Sequence, residues 1–254
     1  MKNLKALILV WSVLAVVASA AAVWDTKPFM EWSDKDIEKL LTDSPWAGKA
    51  SLTHEREGAN LGPVPDWHVI VSVRSAEPIR RAVARQLLAG GLAASPDLEA
   101  NLAAPYPRYA IAIAKIPQFY RTQLQKSAQG TILRVKGQNL SAVNGAIQLL
   151  DKDGKEVQPP PARGPRPQAS AGVVQIVPVA QGGGGGFGGG GFGGGGFGGG
   201  KDDGTTATMV LEFPKVEGVT ANDGEIEIST IVGGYKIRKI FKLKEMMFKG
   251  ALAF

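Results

Sequence analysis

The stretch that decides the fold is EIEISTIVGGYKIRKIFKLK, residues 225–244. Isoleucine, valine, threonine and tyrosine are enriched in β-strands, and they stand on both sides of the pair Gly233-Gly234. Because glycine accepts the positive φ angles of a tight turn, the stretch predicts two strands joined at this pair. The neighbouring runs ATMVLEFPK and MMFKGALAF are also strand-like. We therefore expect residues 206–254 to form strands throughout.

Upstream, strand patterns alternate with helix patterns. DWHVIVSVRS places Trp67 and the next three alternate valines on one face, which predicts a strand. SAEPIRRAVARQLLAGG carries a proline near its start and Gly90-Gly91 at its end, as helices do. RYAIAIAKI repeats the strand pattern, and PQFYRTQLQKSAQG repeats the helix pattern. TILRVKG is a further strand, and GAIQLLDKDGKEV predicts a hairpin that turns at Asp153-Gly154.

The composition changes abruptly in the middle of the chain. QPPPARGPRPQ is followed by GGGGGFGGGGFGGGGFGGG, in which phenylalanine recurs at Phe187, Phe192 and Phe197. Such a segment buries too little apolar surface to offset its ordering entropy. We predict a disordered Pro-rich and Gly/Phe-rich insert at residues 158–205, although GVVQIVPVA between its two tracts leaves a further strand open.

Strands, helices and further strands together predict an α+β fold. We expect one mainly antiparallel sheet with two or three helices. In this interpretation residues 23–157 are the helix-containing N-terminal part, and residues 206–254 are C-terminal strands of the same domain.

The first 22 residues read as a secretory signal peptide. Lys2 and Lys5 are basic, residues 7–17 are apolar, and small residues supply a cleavage site near residues 18–22. An uncleaved membrane anchor would need about 20 apolar residues, and this run is shorter. We therefore expect a secreted or periplasmic protein with no stable membrane span after cleavage.

The composition narrows the possible chemistry. The chain has no cysteine, which excludes thiol catalysis and thiolate metal sites. Loss of Lys2 and Lys5 with the signal peptide would leave 27 basic and 23 acidic side chains, a formal charge of +4. These charges are dispersed along the sequence, so we expect no nucleic-acid partner.

The segment EWSDKDIEKLLTDSPWAG, residues 31–48, combines two tryptophans with five acidic side chains. Ser33 is a good N-cap, with Asp36 three residues further on, and an apolar stripe follows at helical spacing. We predict that Trp32 and Trp46 pack against this stripe. An alternative is a glycosidase-like carboxylate pair, which requires two acidic side chains across a substrate. The residues available for that pair are Asp34, Asp36, Glu38 and Asp43.

Residues 32–47 follow the pattern W-[ST]-x-x-[DE]-[IV]-x-x-L-L-x-x-S-P-W-A. This pattern resembles the N-terminal signature of a group of uncharacterised exported bacterial proteins of similar size. The likeness continues at VRSAEPIRRAVARQLL and at IRKIFKLKEMMFKGALAF, although Val73-Arg74 stand where the group tends to have Arg-Trp. The resemblance implies export and carries no activity.

Two other sets of residues are candidate sites. His54, His68 and either Glu55 or Asp66 have the donor types of a two-histidine, one-carboxylate metal site. Four arginines gather around the start of the first long helix, where the helix N-terminus would help them hold an anionic ligand. These are Arg74, Arg80, Arg81 and Arg85.

The sequence therefore favours an exported, non-enzymatic envelope protein that acts as a protein-interaction or structural module, with a protein or other envelope component as its partner. We assign no catalytic, cofactor-binding or metal-binding residue. The alternative is a secreted hydrolase that uses acidic residues between Asp34 and Asp43.

Overall fold

The computed structural model describes residues 23–56, 63–150 and 205–254. The predicted signal peptide, the turn at Asp153-Gly154 and residues 158–204 of the predicted insert lie outside the described residues.

The described residues form five α-helices and three 3₁₀ turns. The helices are α1 Val23–Thr26, α2 Asp34–Thr42, α3 Glu77–Ala89, α4 Leu98–Ala103 and α5 Arg121–Gln129. The 3₁₀ turns are Phe29–Glu31, Gln118–Tyr120 and Leu243–Glu245. Within these ranges, no helix combines the length and the apolar character needed to cross a bilayer.

Twelve strands occur in the same described ranges. The first six are β1 Ala47–Lys49, β2 Ser51–His54, β3 Ile70–Val73, β4 Tyr109–Pro117, β5 Ile132–Val135 and β6 Gln138–Ser141. The other six are β7 Asn144–Leu150, β8 Thr206–Phe213, β9 Glu225–Val232, β10 Tyr235–Lys242, β11 Met247–Phe248 and β12 Ala251–Leu252.

The strands build two five-stranded sheets and one small hairpin. The first sheet has the order β1-β3-β4-β8-β7 and the second has the order β2-β10-β9-β5-β6, while β11 pairs with β12. Every pairing between these named strands is antiparallel. The predicted α+β class with mainly antiparallel strands is therefore confirmed.

The prediction of one sheet with two or three helices is wrong in its details. The chain passes from one sheet to the other at Ala50, because β1 pairs with β3 while β2 pairs with β10. The backbone hydrogen bonds of these two short strands are made with β3 and β10, which lie further along the sequence. The segment therefore has no strand pattern of its own. The helices α1 and α4 have only four and six residues, too short to display a helical period.

The hairpin at Gly233-Gly234 is confirmed. Val232 faces Tyr235 in the register, and the two glycines between them have φ angles of 62° and 82°. Positive φ at both central positions is what a type I′ turn requires. Along β9, Ile226, Ile228, Thr230 and Val232 are buried, and the residues between them are more exposed.

Residues on both sides of positions 151–204 contribute to both sheets. β8 lies between β4 and β7, and β9 lies between β10 and β5. Side chains from residues 29–135 and 207–254 belong to one contiguous hydrophobic cluster.

The inner strands β4 and β8 of the first sheet are buried on both faces, whereas the edge strand β7 is exposed, and this positions the site. Along β4, Ile111 and Ile113 belong to the hydrophobic cluster, whereas Ala110 and Ala112 point to the opposite face. The register places Glu212 beside Ala110 and Val210 beside Ala112. This second face therefore carries small side chains, with one carboxylate among them.

Candidate ligand-binding pocket

A pocket of about 320 Å³ opens over the second face of the first sheet. Ala110, Ala146 and Val210 form part of its floor, and α4 contributes Leu98 and Leu102 to its wall. The chain between α4 and β4 completes the lining with Ala104, Pro105, Tyr106 and Pro107. The alanines matter because larger side chains on these strands would fill the space. Most of the lining is apolar, and its charged groups are Arg74, Arg80 and Glu212.

Arg74 follows β3 directly and lines the pocket. Its Nε atom is buried without a hydrogen-bond partner, and no described residue forms an ion pair with its guanidinium. Burial lowers the pKa of Arg74 below its usual range, and no neighbouring carboxylate raises it again. A desolvated cation without a counter-ion is unfavourable by itself. The pocket therefore has a positive site that an anion would complete.

Arg80 stabilises the wall of the pocket. Its Nη1 donates to the carbonyl of Asn101 over 3.1 Å and its Nη2 to that of Ala104 over 2.7 Å. Ala104 is the C-cap of α4, so this bond satisfies a carbonyl that the short helix leaves unpaired. The guanidinium also lies 5.9 Å from the centre of the Tyr106 ring. Burial lowers the pKa of Arg80, although Glu77 acts in the opposite direction.

Glu212 is only 7% exposed and its charge is already balanced. One carboxylate oxygen accepts from the Tyr106 hydroxyl over 3.0 Å. The other accepts from Arg108 Nη1 over 3.1 Å and from Asn144 Nδ2 over 3.0 Å. Since Arg108 forms the ion pair with Glu212, this carboxylate does not serve as the counter-ion of Arg74.

The structure separates the four arginines of the predicted anion site. Arg74 and Arg80 line the pocket, whereas Arg81 and Arg85 do not. Arg81 donates to Glu77 over 2.8 Å and to Glu99 over 2.9 Å, and it is 7% exposed. Its role is structural, and including it in the anion site was wrong. Glu99 lies on the unpredicted helix α4, so no sequence pattern indicated that it pairs with Arg81.

The structure brings together only two of the four acidic residues of the hydrolase alternative, Asp34 and Glu38. Asp36 completes a capping box, in which its Oδ2 accepts from the Ser33 hydroxyl over 2.7 Å and from the Ser33 N–H over 3.0 Å. These bonds lower the pKa of Asp36, the reverse of what a general acid needs. Asp43 is exposed at the C-cap of α2. Asp34 and Glu38 line a second cavity, of about 280 Å³, together with Lys115.

The two tryptophans of this segment pack as predicted. Trp32 is 1% exposed and Trp46 is 0% exposed, while Asp34 and Glu38 are exposed to solvent. The Trp32 indole donates to the carbonyl of Lys27 over 3.1 Å. The Trp46 indole donates to that of Ala253 over 2.7 Å, which ties the N-terminal segment to the end of the chain.

The histidine hypothesis gains no support from the geometry. The His54 ring lies 5.3 Å from that of Tyr235, and His68 is exposed. Within the ranges that the structure covers, no three histidine, aspartate or glutamate side chains are grouped as metal ligands would be.

Sequence reasoning missed Tyr106, Asn144 and Glu212, which shape the pocket. Glu212 did carry a signal, because it is a charged residue inside the otherwise apolar run MVLEF. A charged side chain within a buried strand needs partners, and such positions are often functional. Tyr106 and Asn144 lie in irregular chain or at a strand end, where no period marks them.

Fold and site together define an antiparallel α+β protein with an apolar pocket, in which one arginine has no counter-ion among the described residues. No protein-family model, curated protein or solved structure matches this chain.

Proposed function

We propose that this protein is an exported, non-enzymatic envelope protein that binds a carboxylate attached to an apolar group. A free organic acid and the C-terminal residue of a partner chain would both supply this chemistry. The N-terminal sequence supports export, and the pocket supports the ligand class.

Arg74 is the observation that carries the proposal. Arg74 is partly buried, its Nε atom is buried without a hydrogen-bond partner, burial lowers its pKa, and it has no carboxylate partner among the described residues. A planar guanidinium matches a carboxylate in a two-bond arrangement, and such charge-assisted bonds are stronger than neutral ones. An anion in the pocket would offset the desolvation of Arg74.

The rest of the lining favours a monoanion with an apolar body. Leu98, Leu102 and Val210 offer apolar surface, and about 320 Å³ lies at the lower end of typical ligand pockets. Arg80 already donates to two carbonyl oxygens, so Arg74 is the one charged group of the lining that has no hydrogen-bond partner among the described residues, and a single guanidinium matches a single negative charge.

Ligand-induced thermal stabilisation tests this proposal. The mature chain, residues 23–254, is melted with 4-phenylbutyrate and, separately, with the uncharged 4-phenylbutyramide. We expect the acid to raise Tm and the amide to have no effect, since a ligand at 100 times its Kd stabilises by about 2.7 kcal/mol. Peptides that end in leucine, with a free or an amidated C-terminus, provide a second pair and distinguish the two sources of the carboxylate.

Variants locate the effect in the pocket. Arg74→Met should abolish the stabilisation. Arg85→Met is the matched control, because Arg85 also has a buried, unpaired Nε but does not line the pocket. Equal stabilisation by acid and amide, or stabilisation that persists in Arg74→Met, would overturn the proposal.

A further inference from the structure

A second surface, which shares no residue with the pocket, is built from aromatic rings. We call Trp67, Phe119, Tyr120 and Tyr235 the aromatic cluster. The ring centre of Trp67 lies 4.9 Å from that of Tyr120, 5.0 Å from that of Tyr235 and 6.3 Å from that of Phe119. Phe119 and Tyr120 are 4.2 Å apart, and the rings meet edge to face or tilted rather than stacked.

The aromatic cluster is open to solvent. Phe119 is 67% exposed, and the other three rings are partly exposed. The ring of Tyr120 lies directly over Gly233, where any Cβ atom would overlap it, so the turn between β9 and β10 accommodates the cluster. Exposed groups of large apolar side chains commonly mark binding surfaces.

The polar atoms of these rings are also available. The indole N–H groups of Trp32 and Trp46 donate to backbone carbonyls. Within the described ranges, by contrast, the indole N–H of Trp67 and the hydroxyls of Tyr120 and Tyr235 have no hydrogen-bond partner in the chain. Aromatic ridges that also present free donors match extended proline-rich chains, whose prolines pack between the rings and whose carbonyls accept from the donors.

Leu150, the last described residue before the proline-rich tract, lies close to this surface. The register pairs Leu150, the last residue before the gap at 151–204, with Thr206, and it pairs Thr206 with Pro117. Two strand spacings place Leu150 about 10 Å from Pro117. Phe119 follows Pro117 by two residues. The seven residues between Leu150 and Gln158 span up to about 25 Å when extended, which is enough to reach the rings.

We propose that the aromatic cluster is a docking site for the proline-rich segment of the same chain, residues 158–168. The sequence of this segment, QPPPARGPRPQ, supplies five prolines and two arginines. Two exposed carboxylates lie nearby. Glu55 follows His54, whose ring is 5.3 Å from that of Tyr235, and Asp66 precedes Trp67 and also pairs with Lys49 over 3.1 Å. Their charge complements that of Arg163 and Arg166. The short tether raises the local concentration of the segment, so a weak contact suffices for occupancy.

Competition between the attached segment and a free copy of it tests the proposal. The probe is a synthetic peptide of residues 157–169, titrated into the mature full chain. A second protein carries serine in place of the five prolines, Pro159, Pro160, Pro161, Pro165 and Pro167. Binding is followed through the indole N–H resonance of Trp67, which is assigned with Trp67→Phe.

We expect the peptide to bind the serine-substituted chain and to bind the unmodified chain about tenfold more weakly, because the attached segment competes at roughly millimolar effective concentration. Phe119→Ser in the serine-substituted chain should abolish the Trp67 shift. Met30→Ser is the matched control, since Met30 is 52% exposed and lies outside the cluster. Circular dichroism is the check that each variant is folded.

Three results would overturn the proposal. The first is that the peptide does not shift the Trp67 resonance in the serine-substituted chain. The second is that it binds both chains equally, and the third is that it still binds after Phe119→Ser. A Trp67 shift with a soluble chitooligosaccharide in place of the peptide would assign the surface to sugars instead.

Discussion

Arg74 and Arg80 line the same pocket and differ in their hydrogen-bond partners. Arg80 donates to two carbonyl oxygens, whereas Arg74 has no polar partner among the described residues. Residues that cost stability are often retained for binding, because the ligand supplies the missing interaction. The two arginines can therefore be distinguished by stability in the absence of ligand.

We expect Arg74→Met to leave the free energy of unfolding unchanged or to raise it by up to about 1 kcal/mol, because it removes a desolvated charge. Arg80→Met should lower it by about 1–2 kcal/mol, because the carbonyl oxygens of Asn101 and Ala104 lose charged donors. Urea unfolding of the ligand-free chain of residues 23–254 measures both. A loss in Arg74→Met as large as that in Arg80→Met would show that Arg74 stabilises the fold directly.

The tryptophans show how one residue type serves different purposes. Trp32 and Trp46 are buried with paired indole groups, and Trp67 is partly exposed with an unpaired one. The first two flank a helix stripe that the sequence displays. Trp67 precedes a strand, and its neighbours Phe119 and Tyr235 come from distant parts of the chain.

Helix α2 begins as its sequence predicts. Ser33 caps the helix, and its hydroxyl oxygen accepts from the N–H of Asp36 over 3.2 Å. In turn, the Asp36 carboxylate accepts from the N–H and from the hydroxyl of Ser33. All the partners lie within four residues. The motif is therefore local, which explains why it could be predicted without tertiary information.

The capping box makes helix stability dependent on pH. The bonds from Ser33 lower the folded-state pKa of Asp36 below its unfolded value of about 3.9. The stabilisation is thus fully present above about pH 4 and is lost as the pH falls through the folded-state pKa. We expect Asp36→Ala to lower Tm at pH 7, and we expect the difference from wild type to shrink as the pH falls through the lowered folded-state pKa of Asp36.

Asp34→Ala is the control for this prediction, because Asp34 lies in the same first turn without a capping bond. Thermal melts of the three proteins between pH 2 and pH 7 measure the effect. A Tm difference between wild type and Asp36→Ala that is constant over this range would contradict the ionic contribution.

Helix α4 shows the opposite case. It has six residues and no side-chain cap bond, and it is held by Arg80 at its C-terminus and by the ion pair between Glu99 and Arg81. An isolated helix of this length is unstable in water. Its existence depends on α3, so its own sequence does not predict it, and the wall of the pocket escapes prediction with it.

In the whole molecule, residues 205–254 supply the inner strands β8, β9 and β10. The chain therefore returns to both sheets after positions 151–204. The length of that connection has little effect on stability, because the entropy of loop closure depends only on the logarithm of length.

We expect deletion of residues 182–200 to leave the fold intact. It shortens the connection by 19 residues, which changes the closure free energy by only about 0.4 kcal/mol. Tm should change by less than about 5 °C. Serine in place of Phe187, Phe192 and Phe197 at full length is the control that separates length from side-chain packing. A larger drop in both proteins would show that these rings dock on the folded part.

Prediction from the sequence succeeded where the deciding interactions are local. Gly233-Gly234 predicted the hairpin because the turn depends only on the φ angles of these two residues. Ser33 predicted the start of α2 because its capping partner Asp36 lies three residues away. Prediction of the pocket would have required knowledge of contacts between distant parts of the chain. Sequence proximity grouped Arg74, Arg80, Arg81 and Arg85 as one candidate anion site, but only Arg74 and Arg80 line the pocket, and Arg81 pairs with Glu99 of another helix.

The sequence by itself determined the α+β class, the main strands and helices, and the tight turn between β9 and β10, since periodicity and turn chemistry act over a few residues. The tertiary structure decided that the strands form two sheets, which side chains line the pocket, and that no residue in the described part of the chain is a counter-ion to Arg74. These features depend on strand register and on long-range pairing, such as that of Ala110 and Asn144 with Glu212. No local pattern encodes them, because the partners lie tens to a hundred residues apart and meet only when both sheets have formed.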